Sequence, residues 1–452
     1  MNLHPSMASL SVCLMASTLQ AAYTPPSVAV SALDKFRGYS ELTTAAGSTD
    51  LDTYTSNLIT WQMSHGGWSK AHADLYKSAW DGKADLSSWT GTKSEPLGMY
   101  DNNATVQEMR LLAVRYKATT NAANKTKFKD SFQKGIAFVL ASALPNGGWP
   151  QVYPKRGNYS DMATYNDNAM VRLMVMVRDI VERKDPFDTD IATATQVSQL
   201  KAALDKGVQF ALKAQIVNGG NPTVWCAQHD PSTYKAVGAR AYELASKSGS
   251  ESVGIVWFLM NWPDQTPEIQ NAVKGAIAWF KKTKVTNLSY SSGTFTPTTN
   301  GALWYRFYEV DNDNYFFCDR DGASTKTQDI TKISEERRTG YQWAGNYGSG
   351  LLSAESAYLD AIKNLSGTTT HPRATTRKAW AGVHSVFATG FPDGPVHITW
   401  LDANGRTLAS VDAASREGLV EVPTPLSVGF GRASLVRIQA PDGTSLGAAM
   451  VR

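Results

Sequence analysis

The chain has 452 residues, of which 42% are hydrophobic and 19% charged, the balance of a folded soluble protein, and it carries a formal net charge of +4. So mild a basic bias, with no Lys/Arg cluster, no zinc spacing and no recognisable RNA- or DNA-binding module, argues against nucleic acid as a partner. No run reaches the roughly 18 apolar residues that a membrane span requires.

The N-terminal stretch MASLSVCLMASTLQAA (residues 7–22) is apolar, too short to span a bilayer and ends in small residues, the outline of a secretory signal, so residues 1–22 are expected to direct export. Removal of that segment takes Cys13 with it and leaves Cys226 and Cys318, which could pair or remain buried thiols. From about residue 50 to 365 a helical period dominates. Met170, Leu173, Met174, Val177, Ile180 and Val181 form one helix face, as do Ile269, Val273, Ala276, Ile277 and Phe280, and both stripes read as core packing. Between helices the chain returns to glycine loops, SHGGWSK, PNGGWPQVYP, VNGGNPTVW and TNGALWYRFY, whose first glycines are Gly66, Gly147, Gly219 and Gly301. A recurrence every 70 to 80 residues or so is two helices plus a loop, repeated. Such hairpins stacked in a ring make an α/α toroid with its irregular loops on one face. The helical signal stops near residue 365, GTTTHPRATTRKAW (367–380) reads as a linker, and paired alternating segments around Asn404-Gly405 and Asp442-Gly443 predict a small β module over 375–452.

Two stretches echo each other on the loop side of the repeat: YDNNATVQEMRLLA (100–113) and YNDNAMVRLMVM (165–176). Each sets a carboxylate, Asp101 or Asp167, at a helix start. Asp and Asn are favoured N-caps, but a cap needs one such residue and DNN and NDN supply three apiece, so clustered hard oxygen ligands for calcium or another hard cation are the competing reading. Further polar groups follow the later loops: His229, Asp230, Lys235, Arg240 and Glu243 in WCAQHDPSTYKAVGARAYELAS, Arg306 and Arg320 in WYRFYEVDNDNYFFCDRDG, and Arg337 and Arg338 in EERRTGYQWAG. Arginine among aromatics suits carboxylates and sugars, because the guanidinium pairs bidentately while rings stack on pyranose faces. DNDNYFFCDRDG lacks EF-hand spacing, and HExxH, GxSxG, dinucleotide and P-loop signatures are absent, which leaves aminopeptidase, esterase and nucleotide chemistry unsupported.

With YDNNAT, NGGWPQVYP, TYNDNAM, WCAQHD, ARAYELAS, WYRFYEVDNDNYFFCDRDG and RRTGYQW in order, residues 50–360 or so resemble the family 10 pectate lyases. The resemblance implies a mainly α chain whose catalytic domain, over residues 23–366, is an (α/α)3 toroid. It also implies calcium-dependent anti β-elimination of polygalacturonate by a secreted enzyme, expected here as a monomer. Carried onto this sequence, Asp101 and Asp167 hold calcium against the substrate carboxylate, Arg240 is the base, and Arg306 and Arg320 bind uronate carboxylates. Trp225 and Arg338 complete the expected substrate-binding set. Arginine's high pKa makes it a poor base near neutrality, so a cationic surrounding that depresses the pKa of Arg240 is expected. Two rivals remain: an inverting glycoside hydrolase using Asp101 and Asp167 as acid and base, and a non-catalytic pectin-binding module.

Overall fold

The architecture is that of a computed structural model, in which residues 23–366 are described together with 378–381, 385–389, 394–402, 406–415, 419–423, 435–439 and 445–449. The expected signal segment, the 367–377 part of the linker and the turns at Asn404-Gly405 and Asp442-Gly443 lie outside the described residues. The chain divides into a helical unit, Ala22–Lys363, and a second unit that holds the strands after residue 377.

The described helices are α1 (Ser27–Asp34), α2 (Ser40–Ala46), α3 (Leu51–Thr60), α4 (Val106–Ala118), α5 (Ala122–Ser142), α6 (Ala169–Val181), α7 (Ala194–Ala214), α8 (Glu251–Met260), α9 (Pro267–Thr283), α10 (Glu335–Thr339) and α11 (Ser349–Ser366). They form two layers. Helices α4, α6 and α8 pack in succession, while α3, α5, α7 and α9 pack in succession behind them. The difference is written in their surfaces: every residue of α8 is buried, whereas α7 buries a single stripe of Leu200, Leu204, Gly207, Val208 and Ala211. The outer helices also carry conventional caps. Asp50, Asn121, Thr193 and Thr266 accept from the backbone of the first turns of α3, α5, α7 and α9, but no side chain caps α4 or α6.

The first three glycine loops run from an outer helix to the next inner one, whereas the fourth, expected as a loop, lies in a strand, Thr294–Tyr305, after α9; a tryptophan fastens each of the four segments. Trp68, Trp149, Trp225 and Trp304 are fully buried, and their indole N–H groups donate to Leu58, Val139, Ala211 and Phe280 carbonyls at 3.0, 2.9, 2.7 and 2.8 Å. Gly66 and Gly147 (φ 98° and 96°) are required twice over, because a Cβ there would sit 2.2 Å from the Lys134 carbonyl oxygen and 2.1 Å from that of Lys206, on α5 and α7. In the first two repeats the glycine therefore has a packing cause, a loop pressed onto the neighbouring outer helix, which Gly219 and Gly301 do not share.

Two ionic features lie inside the inner layer. Asp179 on α6 accepts from Arg110 on α4 and from Arg37 on the N-terminal segment, each at 2.9 Å. Glu108, in the first turn of α4, is buried and accepts from the Tyr76 hydroxyl at 3.2 Å, and burial pushes its carboxyl up to about 8. Its folded value lies above the ordinary 4.5, so the folded state holds a proton that the unfolded chain releases. Stability is then fully present below 4.5 and falls as pH rises toward about 8, by up to about 1.4 kcal/mol per pH unit. Melting temperatures of Glu108→Gln between pH 5 and 9 are expected to lose that slope, whatever the absolute stability of the variant.

In the second unit, strands Thr407–Ser415, Gly394–Leu401, Leu435–Gln439 and Ser445–Ala449 make one antiparallel sheet in that order. Lys378–Ala381, Ser385–Thr389 and Leu419–Pro423 make another, so the last residues of the expected linker belong to a strand. Val396, Ile398, Trp400, Val436 and Ile438 from the first sheet meet Val420 and Val422 from the second in one apolar core. The segments that flank the two turns pair as the alternation predicts.

Candidate active site

Three carboxylates are brought together by one backbone device used three times. The N–H groups of Met99, Thr164 and Ser248 donate to the carbonyls of Trp68, Trp149 and Trp225 at 3.0, 3.0 and 2.7 Å. Within the next three residues come Asp101, Asp167 and Glu251, at the leading ends of α4, α6 and α8. The surplus of Asx residues here has a backbone cause: Asn102, Asn103, Asp167 and Asn168 have φ of 49°, 67°, 51° and 61°, left-handed positions that Asn and Asp tolerate better than other side chains. Asp167 does not cap α6. Its carboxylate accepts from Asn166 Nδ2 at 2.7 Å and is otherwise half exposed.

The three acids have unequal partners. Asp101 is buried and ion-paired with Lys70. Glu251 is buried, accepts from the Ser248 hydroxyl, and binds Arg306 Nη2 at 2.5 Å. The same Nη2 lies 3.5 Å from Asp167 and 3.4 Å from the Asn166 amide oxygen, so Arg306 is spent mainly on Glu251. Burial raises the Asp167 carboxyl above its ordinary range, Glu251 and Asp101 add to the rise, and Arg306 offsets only part of it. Asp167 is thus an exposed anion facing two others, the position from which a cation gains most.

A second cluster surrounds Tyr242. The guanidinium groups of Arg240, Arg320 and Arg337 lie 4.8, 4.5 and 4.6 Å from its ring centre. Arg240 and Arg320 are half exposed and each is closed by a glutamate, Glu243 and Glu336, at 2.5 Å. Arg337 is buried, donates to the Tyr242 carbonyl at 3.1 Å, and has no carboxylate partner among the described residues. Arg337 and Arg306 lie 3.9 and 4.8 Å from the Tyr341 ring centre, which links this cluster to the acidic one.

Residues 62–352 match the family model for pectic acid lyase. The chain belongs to the pectic acid lyase family. The family 10 polysaccharide lyase from Cellvibrio cellulosa is 37% identical, with a TM-score of 0.62 over 72% of this chain and 97% of that one. An alanine mutant of the Cellvibrio enzyme in complex with trigalaturonic acid matches with the same identity and TM-score over 98% of its chain. No curated protein sequence matches. This lyase corrects several expectations drawn from its sequence. Trp225 is fully buried and hydrogen-bonded inside its loop, so it offers substrate no surface. Arg337, not named as a substrate contact, is the arginine that packs against the Tyr341 ring, while Arg338 places its stem and carbonyl near Gly293 and accepts from Tyr290 through that carbonyl at 3.1 Å. Glu243 holds Arg240 above the ordinary arginine range, where a depressed value was expected. His229 is a neutral core residue, burial lowering it to about 4 while its ring nitrogens bond the Cys226 N–H and the Tyr234 carbonyl. Cys226 and Cys318 are separate buried thiols.

Glu251 and Lys70 went unread in the sequence. Glu251 had a signal, a polar SGSE run before an apolar helix at the place in the third repeat that DNN and NDN occupy in the first two. Lys70 had none, because its partner is 31 residues away.

The donor set tests the calcium expectation. Among the described residues no group of three or more His, Cys, Asp or Glu side chains is arranged to hold a metal. Asp101 is already paired with Lys70 and Glu251 with Arg306, which leaves Asp167 as the free carboxylate. Calcium takes six to eight oxygens. The chain therefore fits calcium as a ligand shared with a bound uronate and water, not as an ion caged by protein.

Proposed function

We propose that this lyase cleaves α-1,4-linked polygalacturonate by calcium-dependent anti β-elimination, on an inner and outer layer closed into an (α/α)3 toroid, and that it works outside the cell. The observation that carries the reading is the half-exposed Asp167 carboxylate set among Glu251, Asp101 and Arg306. Such a centre favours a cation that a uronate carboxylate can share, and the bound ion supplies charge neutralisation next to the C5–H bond.

Asp167 holds that ion against the substrate. Arg306, fixed by Glu251 from below and by the Tyr341 face, presents its remaining N–H groups to a uronate carboxylate. Arg320 binds a second carboxylate, and Arg240 takes the C5 proton. The C4–O bond then breaks, a C4–C5 double bond forms, and the leaving oxygen is protonated. Arg240 and Arg320 must both leave their glutamates, so a substrate carboxylate that displaces Glu336 from Arg320 and a separation of Arg240 from Glu243 are part of the binding step. Release from Glu243 removes the contact that raises Arg240, and a neighbouring cation and the other arginines would have to lower it further before it accepts the proton.

The test is the near-ultraviolet absorbance of unsaturated uronides formed from polygalacturonate at alkaline pH, first with calcium and then with chelator. Product with calcium and at least about a 100-fold loss with chelator are expected. Equal rates in both would remove calcium from the mechanism, and saturated reducing ends alone would mean hydrolysis.

A further inference from the structure

We propose that Arg156, lying on Trp89 beside the Lys70 and Asp101 pair, is an additional uronate-carboxylate subsite that lengthens the substrate groove on the Asp101 side of the acidic centre; this rests on the pectate lyase reading. Three separate segments converge there. The Arg156 guanidinium lies 3.9 Å from the Trp89 ring centre, and the Lys70 ammonium lies 4.6 Å from it while pairing with Asp101.

Both members of the stacked pair are anchored through their backbones. The Arg156 and Gly157 N–H groups each donate to the Asp161 carboxylate at 2.8 Å. Thr92 N–H donates to the Lys155 carbonyl at 3.1 Å, tying the loop after Trp89 to the loop that carries Arg156. On the other side, Leu97 N–H donates to the Trp89 carbonyl at 3.0 Å. So firm a seat is not explained by ion pairing. Arg240 and Arg320 are each closed by a glutamate, whereas no carboxylate pairs with the Arg156 guanidinium among the described residues. Stacking covers one face of the guanidinium and leaves its N–H edge open, which suits bidentate capture of a planar carboxylate. Lys70, spent on Asp101, adds positive field without competing for the ligand.

A polymer with one carboxylate per sugar is the matching ligand. A chain held at Asp167 and Arg306 continues past Asp101, and a longer chain reaches Arg156 where a short one does not. Methyl esters there would forfeit the contact, so the subsite selects de-esterified pectate.

Calorimetric titration of the full chain with trigalacturonate and hexagalacturonate in the presence of calcium, on an Arg240→Ala background to prevent turnover, tests this. Arg156→Ala is expected to weaken hexagalacturonate about tenfold, the size of one charge-assisted contact, and trigalacturonate less than about twofold. Arg156→Lys, which keeps the charge but loses the fork, should fall between. Unchanged hexagalacturonate binding in Arg156→Ala at a parental melting temperature overturns the subsite, and equal losses for both oligomers place Arg156 in the central site instead. Failure of the lyase reading shows separately, as a parent that binds hexagalacturonate yet forms no unsaturated product with calcium.

Discussion

Replacing Asp167 with asparagine is expected to lower kcat on polygalacturonate by at least about 100-fold, or about 2.7 kcal/mol of transition-state stabilisation, while leaving the melting temperature unchanged or higher. Two observations set the sign of the stability effect. Asp167 bonds no N–H of α6, so no cap is lost. Its carboxyl is also raised by burial, Glu251 and Asp101, so the ionised form is less favourable folded than unfolded. A carboxylate with a raised folded value contributes nothing adverse at low pH and a growing penalty as pH rises through the ordinary carboxylate range. The asparagine variant escapes that penalty, and its advantage over the parent should be larger at pH 7 than at pH 4. Thermal melts at both pH values, alongside turnover with saturating calcium, measure the two effects on one preparation. A variant that melts well below the parent but retains turnover would return Asp167 to a structural role. Charge placed where it costs stability, at a strained left-handed residue, is the pattern expected of a functional position.

The parts of this protein that could be read from its sequence are those with a local period. The stripe from Met170 to Ile180 is buried as expected, and the glycine loops at Gly66 and Gly147 press on the neighbouring outer helices. Asp101, Asp167 and Arg306 were legible because each belongs to a motif of contiguous polar or aromatic residues; Arg306 lies 3.5 Å from Asp167, and Asp101 is near enough to raise the Asp167 carboxyl. What was not legible is set by pairing across the fold. Trp225 looks like a ligand contact in a linear string, yet its indole N–H bonds α7 and the ring is fully buried. The DNDN run of residues 311–314, which lacks EF-hand spacing, has its own partners, Asp313 being held by Lys247, Lys282 and Trp279, all at 2.7 Å. Those partners arrive from segments remote in sequence, and no spacing rule announces them. The abundance of Asn and Asp beside Asp101 and Asp167 had a second cause, left-handed backbone, that a count of oxygen ligands takes for chemistry.

Glu251 carries the other large effect. Glu251→Ala is expected to cost about 3 kcal/mol of stability, roughly 5 °C in melting temperature, and to reduce turnover by more than about 100-fold. The stability loss follows from Arg306. Its guanidinium is only 12% exposed, and its short contact is with Glu251 at 2.5 Å, so removal of the carboxylate strands a nearly buried charge. The guanidinium's nearest remaining acid is Asp167, at 3.5 Å. A small rotation closes that gap, and the free carboxylate proposed to share calcium with substrate is then occupied by an arginine. Turnover should therefore fall through the ion site, and the calcium concentration for half-maximal activity should rise in Glu251→Gln, which keeps a hydrogen-bond acceptor for Arg306 but deletes the charge. The pH dependence supplies an independent reading. Loss of the Glu251 charge and a closer Arg306 both pull the Asp167 carboxyl back toward its ordinary range, so the acid limb of the activity profile should move to lower pH in the Gln variant. If Glu251→Ala instead melted and turned over as the parent does, the third helix start would contribute nothing to the site, and Arg306 would have to be held by Asp167 and Tyr341 alone.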